Sequence, residues 1–127
     1  MTSKKRGVES MNIVGVPLPE NAAAKIERVP IDKLFIDRRY QAKLSPSRVK
    51  RLQENYSPVA AGLLLVSARN NGMFAVIDGQ HRLRAMQNLG ATHALCVVVV
   101  GLSSAEEADL FKKCNTNRKR PKAIDVF

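Results

Sequence analysis

A small mixed β-sheet packed with helices, an α/β fold of the compact α+β kind, is what this chain predicts. Apolar runs of strand length alternate with helical patterns in the order β, α, β, β, α, β, α, which is the signature of one layered core. Capping and turn residues punctuate those runs. A length of 127 residues suits a single domain that buries roughly two thirds of its unfolded surface.

Residues 1–27 mix basic side chains, glycine, two prolines and an alanine run without a sustained amphipathic period, so a flexible basic arm is expected there, with the folded domain over 28–127. Val29, Ile31, Leu34 and Ile36 suggest a short strand and turn, with Pro30 near a sheet edge. Ser45 before Pro46 opens a helix, because serine caps and proline fits the first turn. Val49, Leu52 and Tyr56 keep helical spacing, and Pro58 ends the pattern. Leu63–Ser67 and Met73–Ile77 flank Asn71 and Gly72 and read as a strand pair with a tight loop. A second helix starts near Gly79 and stops at Gly90, a natural left-handed cap. The β-branched run Leu95–Val100 predicts a central buried strand. Ser103 or Ser104 with Glu106 or Glu107 makes a capping box for a third helix through about Asn115, with Ala108, Phe111 and Cys114 on its apolar face and Leu110 beside them. Pro121 interrupts the chain beyond that helix.

The charge balance is 21 basic against 11 acidic side chains, a formal +10, and a surplus of this size draws polyanions. The cations gather at Lys4–Arg6, Arg38–Arg51, Arg82 with Arg84, and Lys112–Lys122. Arg118, Lys119, Arg120 and Lys122 in the last run are candidate DNA contacts, although a solvated face explains such a run equally well. Aromatic residues are few and tryptophan is absent, which argues against a base-stacking platform. Two cysteines without CxxC spacing fit a reducing compartment, and a cytoplasmic location is expected. Leu95–Val100 is too short to span a bilayer, so no membrane partner is expected. No metal-ligand spacing is present.

Asp78, Gly79, Gln80, His81 and Arg82 lie between the apolar run Phe74–Ile77 and the second helical pattern. A strand that turns through glycine into a helix leaves the first backbone N–H groups of that helix without intrahelical partners, which makes the turn an anion seat. On a helical wheel Leu83, Met86, Leu89 and Gly90 share an arc, and Arg82 falls inside it. That arginine is aimed partly at the core and sits in the first turn, where the helix dipole disfavours a cation by roughly 0.3–1 kcal/mol. A bound phosphate would supply the missing charge; pairing with Asp78 or another carboxylate is the alternative. His81 and Arg84 share the exposed flank, and Gln80 can converge with Arg84. Asp78 is expected as the N-cap, and His81 as a hydrogen-bond donor to phosphate or a general acid or base.

Val29-Pro30-Ile31-Asp32-Lys33-Leu34 resembles the opening strand of the ParB N-terminal domain, and Val76-Ile77-Asp78-Gly79-Gln80-His81-Arg82-Leu83-Arg84-Ala85 resembles its glycine-acid-arginine-arginine box. The likeness runs from about Val29 to Arg118. Sulfiredoxin, of the same fold superfamily, carries a similar glycine-cysteine-histidine-arginine turn, and proteins with a literal DGQHR signature are closer still. The resemblance implies that Gly79–Arg84 form a triphosphate-binding turn, for CTP as in ParB or ATP as in sulfiredoxin. Gln80 stands where sulfiredoxin has its cysteine and ParB a glutamate linked to CTP hydrolysis. An amide is no carboxylate base, so turnover is expected to be weak or absent even with Gln80 and His81 as the catalytic candidates.

Cys114-Asn115-Thr116-Asn117-Arg118 is similar to a second ParB box in which Asn115 and Arg118 match and Cys114 replaces an acid that helps hold magnesium. Any Mg²⁺ is then expected to be carried mainly by the nucleotide, since a thiol suits it poorly. The chain ends at Phe127, before the helix-turn-helix and dimerisation regions of full ParB proteins. The leading expectation is a ParB-like nucleotide-binding module associated with DNA. A homodimer is compatible with it. A ParB-like nuclease and a nucleotide-independent basic DNA-binding or adaptor protein are the rivals; the nuclease would want clustered carboxylates, whereas Asp78, Asp109 and Asp125 are scattered.

Overall fold

The structure is a computed structural model, and it describes residues 12–13, 16–57 and 62–119. Strands β1 (Asn12–Ile13) and β2 (Val16–Pro17) pair as a two-stranded antiparallel ribbon. The chain continues through β3 (Ala23–Pro30), a 3-10 turn (Ile31–Lys33), β4 (Leu34–Phe35), helix α1 (Pro46–Glu54), β5 (Leu64–Ala68), β6 (Phe74–Asp78), helix α2 (Gln80–Asn88), β7 (His93–Val100) and helix α3 (Ser104–Lys119). Pro58, Pro121, Arg120 and Lys122 lie outside the described residues.

The main sheet has the order β3-β7-β5-β6-β4, with β3/β7 and β5/β6 antiparallel and β7/β5 and β4/β6 parallel. It is mixed, as the alternating pattern predicted. The single strand-and-turn read from Val29 to Ile36 resolves into two strands at opposite edges of the sheet. The expectation of an arm through residue 27 is corrected at its end: Ala23–Pro30 pair in register with Val100–His93. Its side chains hide this, since only Val29 is buried and Ile26 is 65% exposed, so backbone hydrogen bonds hold most of the strand.

Strand alternation sends side chains to two cores. Val29, Leu64, Val66, Val76, Cys96 and Val98 face one way and meet Leu83 and Met86 of α2. Leu65, Ile77 and Val99 face the other and meet Leu110 and Cys114 of α3. Each such buried aliphatic stabilises by roughly 1.5–3 kcal/mol. Burial pushes the Cys96 thiol up to about 11, so it acts as a small hydrophobe. β7 is interior but not buried throughout: Leu95 is 50% exposed, because α3 covers only part of its face of the sheet. That corrects the expected central buried strand.

The helix signals act where expected. Ser45 Oγ accepts the Arg48 N–H with Pro46 in the first turn, and Ser103 and Glu106 exchange the reciprocal bonds of a capping box at 3.1 and 2.8 Å. α2 closes with the Gly90 and Ala91 amides donating to the Gln87 and Met86 carbonyls, a Schellman end. α3 continues four residues past Asn115, to Lys119.

Candidate functional site

β6 delivers the chain to the turn, and Gly79 makes the corner at φ +115°. A Cβ there would come within 2.5 Å of Leu64 Cδ2 and 3.3 Å of an Arg82 guanidinium nitrogen. Glycine is therefore required twice, by backbone angle and by space. Gly79, not Asp78, is the N-cap of α2, and no side chain caps the helix, which corrects the Asp78 assignment. Asp78 ends β6 and faces Arg82 with Oδ2 and guanidinium 3.6 Å apart. As the wheel predicted, Arg82 turns inward and its side chain is only 20% exposed. Gly62 flanks the guanidinium on its other side, since a Cβ there would lie 2.9 Å from it. Leu89, by contrast, is 49% exposed and Ala85 takes its place in the core.

A cleft of about 370 Å³ opens at this turn. Gly79, Gln80, His81 and Arg82 line it together with Lys43, Ser45 and Arg48 from the preceding loop and α1 and Asn115 from α3. The loop over residues 41–45 is tied down beside it: Gln41 Nε2 donates to the Val76 carbonyl at 2.6 Å and Gln80 Nε2 to the Ala42 carbonyl at 2.8 Å. His81 has one ring nitrogen engaged. Its Nε2 accepts the Ser45 N–H at 2.9 Å, so the ring is neutral there and only Nδ1 remains to donate. Burial and then the nearby Arg48 charge both hold its pKa below the ordinary histidine value.

The turn residues Asp78–Arg82 and Asn115 thus come together around one cleft. Arg84 does not: it lines a neighbouring cleft of about 490 Å³ with Arg38, Lys43 and Gln87. Cys114 is buried in the α3-side core rather than facing the cleft, and Arg118 and Lys119 belong to the last turn of α3. Among the described residues no group of three His, Cys, Asp or Glu is placed to hold a metal ion. Sequence reasoning placed Arg48 and Lys43 in a basic cluster but not at the turn. The signal available was the Ser45–Pro46 cap, which points the first turn of α1 at the same space.

A second charged cluster gathers around Arg69. Arg69 donates to Glu107 Oε2 and Oε1 at 2.8 and 2.6 Å and to Asp37 Oδ2 at 2.8 Å. Arg39 holds the same Asp37 carboxylate, Tyr40 donates to Glu107 at 3.3 Å, and Phe35 lies under the Arg69 guanidinium. The Arg39 hydrogen bond, aided by Arg69, keeps Asp37 ionised far below the usual carboxylate range despite its burial. This cluster, invisible in the sequence, roots the residues 37–40 that lead into the cleft loop.

No curated protein matches the chain. The chain does match solved structures: a Pnob8-like ParB-N domain at 24% identity and TM-score 0.54, over 75% of this chain and 36% of that one. The C-terminally truncated ParB of Caulobacter crescentus complexed with CTP-gamma-S matches at 16% identity and TM-score 0.53, over 68% of this chain and 50% of that one. Arabidopsis thaliana sulfiredoxin matches at 22% and 0.51, over 61% of this chain and 86% of that one. The fold is ParB-like and sulfiredoxin-like, and the chain spans from about a third to half of those ParB chains. A model of a family of unknown function, DUF6551, matches residues 36–122, and the chain belongs to that family.

Proposed function

We propose that this DUF6551 member is a nucleotide-binding module associated with DNA, taking the phosphates of CTP or ATP at the Gly79 turn. The observation that carries the reading is the cleft where the first turn of α2 meets Arg48, Lys43 and Arg82. Helix-start amides and three cations line it, and Asp78, the one carboxylate lining it among the described residues, is engaged by Arg82. Gln80, His81 and Asn115 are polar neighbours for the same phosphates. The residues fit a phosphate group, because Gly79 keeps Cβ atoms away from the turn. Bound Mg²⁺ would be carried by the nucleotide, whose charge it would partly neutralise. Gln80 supplies no base, so the reading is binding with weak or no hydrolysis. The likeness to a ParB bound to CTP-gamma-S supports the nucleotide class, and the +10 charge supports a DNA partner. Arg118, Lys119, Arg120 and Lys122 are placed by this reading among the DNA contacts.

The test is a thermal-shift and calorimetric titration of the whole chain with CTP and ATP in the presence of Mg²⁺. At 100 times Kd the expected stabilisation is about 2.7 kcal/mol, roughly ten degrees in Tm for a domain of this size. No shift with either nucleotide at millimolar concentration overturns the reading.

A further inference from the structure

The cations around the cleft extend well beyond it, and the extension is continuous. The 370 Å³ cleft shares Gln41, Ala42, Lys43 and Gln80 with the 490 Å³ cleft beside it. On its other side it shares Arg48, Leu52 and Arg82 with a third cleft of about 340 Å³, which adds Arg51. Arg84 and Leu44 join the 490 Å³ cleft to a fourth, of about 260 Å³, which adds Lys50. The four depressions therefore adjoin one another around α1, α2 and the 38–44 loop, a surface we term the α1–α2 face. Among the described residues, Asp78 is the only carboxylate lining any of them.

Arg38, Lys43, Arg48, Lys50, Arg51 and Arg84 are all exposed on this face. Among the described residues none of the six has a carboxylate within 4 Å. Elsewhere Lys113 faces Asp109 at 3.0 Å and Lys25 faces Glu27 at 3.8 Å, while the exposed Arg28, Lys33 and Lys112, without a carboxylate within 4 Å among the described residues, line none of the four clefts. On this face α1 and α2 are cross-tied by His81 to the Ser45 amide and by Asn88 to Gln53 at 2.7 Å.

From this geometry we infer that the α1–α2 face is the domain's principal docking surface for duplex DNA, held through the phosphate backbone without base readout. Charge complementarity selects the partner, because B-DNA presents one negative charge per roughly 1.7 Å of axis and six exposed cations without a nearby carboxylate attract such a row. The aromatic side chains lining these clefts, Phe35, Tyr56 and Phe111, are each partly buried and pack against the cores or Arg69, so they offer no stacking platform for unpaired bases. Binding at this surface does not need nucleotide in the cleft.

Binding of the full chain to a labelled duplex of arbitrary sequence is measured by anisotropy across a salt series, without nucleotide. With six contacts the slope of log K against log salt is about −5. The triple variant K50E/R51E/R84E, whose residues lie outside the 370 Å³ cleft, weakens binding at least tenfold and flattens the slope by about three, with Tm unchanged. R118E/K119E/R120E/K122E has the smaller effect. The inference is overturned if the triple variant binds as the parent does, or if the C-terminal variant carries the larger loss. It is also overturned if single-stranded DNA displaces the duplex at equal phosphate concentration, or if anionic vesicles bind while duplex does not. A failed nucleotide titration leaves all these outcomes readable, so the two proposals fail separately.

Discussion

Arg69 and Arg82 are both largely withdrawn from solvent, yet their surroundings differ in kind. Arg69 sits between two buried carboxylates at 2.6–2.8 Å and its pKa is raised, chiefly by its hydrogen bond to Glu107. Arg82 has Asp78 at 3.6 Å, two glycines making room around it, and an open cleft in front. The first environment closes around its charge with two carboxylates; the second pairs it with one carboxylate at the wall of a cleft of ligand size. The number of cations is therefore a poor guide to function, and whether a cation lines an open cleft is a better one.

The contrast breaks most sharply at the internal cluster. In Arg69→Met, Glu107, 1% exposed, loses its ion-pair partner and Asp37 loses one of two. Stranding a buried carboxylate costs about 3–5 kcal/mol, so Tm falls by more than ten degrees in thermal or urea unfolding. A loss under about 1 kcal/mol would mean that the cluster is no more structural than a surface pair. Gly79→Ala comes next. The left-handed corner and the approach to Leu64 together cost about 2–4 kcal/mol, measured the same way.

Arg48→Ala separates the two regions by observable rather than by size. The side chain is exposed, so stability is kept within about 0.5 kcal/mol. Loss of a charge-assisted contact to phosphate, about 1.5–3 kcal/mol, lowers nucleotide affinity roughly 10- to 100-fold by calorimetry. An unchanged affinity would put the phosphates elsewhere than in this cleft.

Local chemistry made much of this legible before any coordinates. Ser45–Pro46, the Ser103–Glu106 box and Gly90 each act within four residues of themselves, so sequence spacing suffices to read them. The inward Arg82 came from the helical period alone. What escaped depends on distance along the chain. Asp37, Arg69 and Glu107 lie 32 and 38 positions apart, and nothing local marks them as partners. β3 escaped for another reason: a strand with one buried side chain leaves almost no hydrophobic alternation to detect. At the site, the turn could be read from its own residues, whereas Arg48 and Lys43 reach it only because α1 packs beside α2 and the preceding loop is tied to β6 and α2. The Nε2 contact of His81 was not legible because its partner is a backbone amide 36 residues away.

That contact yields the smallest expected effect and one with a definite sign. Burial and the Arg48 charge hold the folded-state pKa of His81 below its ordinary value near 6.5, so below about pH 6.5 the unfolded chain binds a proton that the folded chain resists. Stability from this group is complete above that pH and declines as pH falls toward the folded-state value, by less than about 1.4 kcal/mol per pH unit, the limit for one proton. Protonation also converts Nε2 from an acceptor into a donor facing the Ser45 N–H, loosening α1 from α2. His81→Gln, whose amide oxygen can accept the same N–H, should flatten the Tm–pH profile between pH 5 and 6.5. Saturating nucleotide in the parent should flatten it too, because a phosphate beside the ring favours the imidazolium. A parent profile already flat in that interval would show that the ring is not the acceptor tying the two helices together.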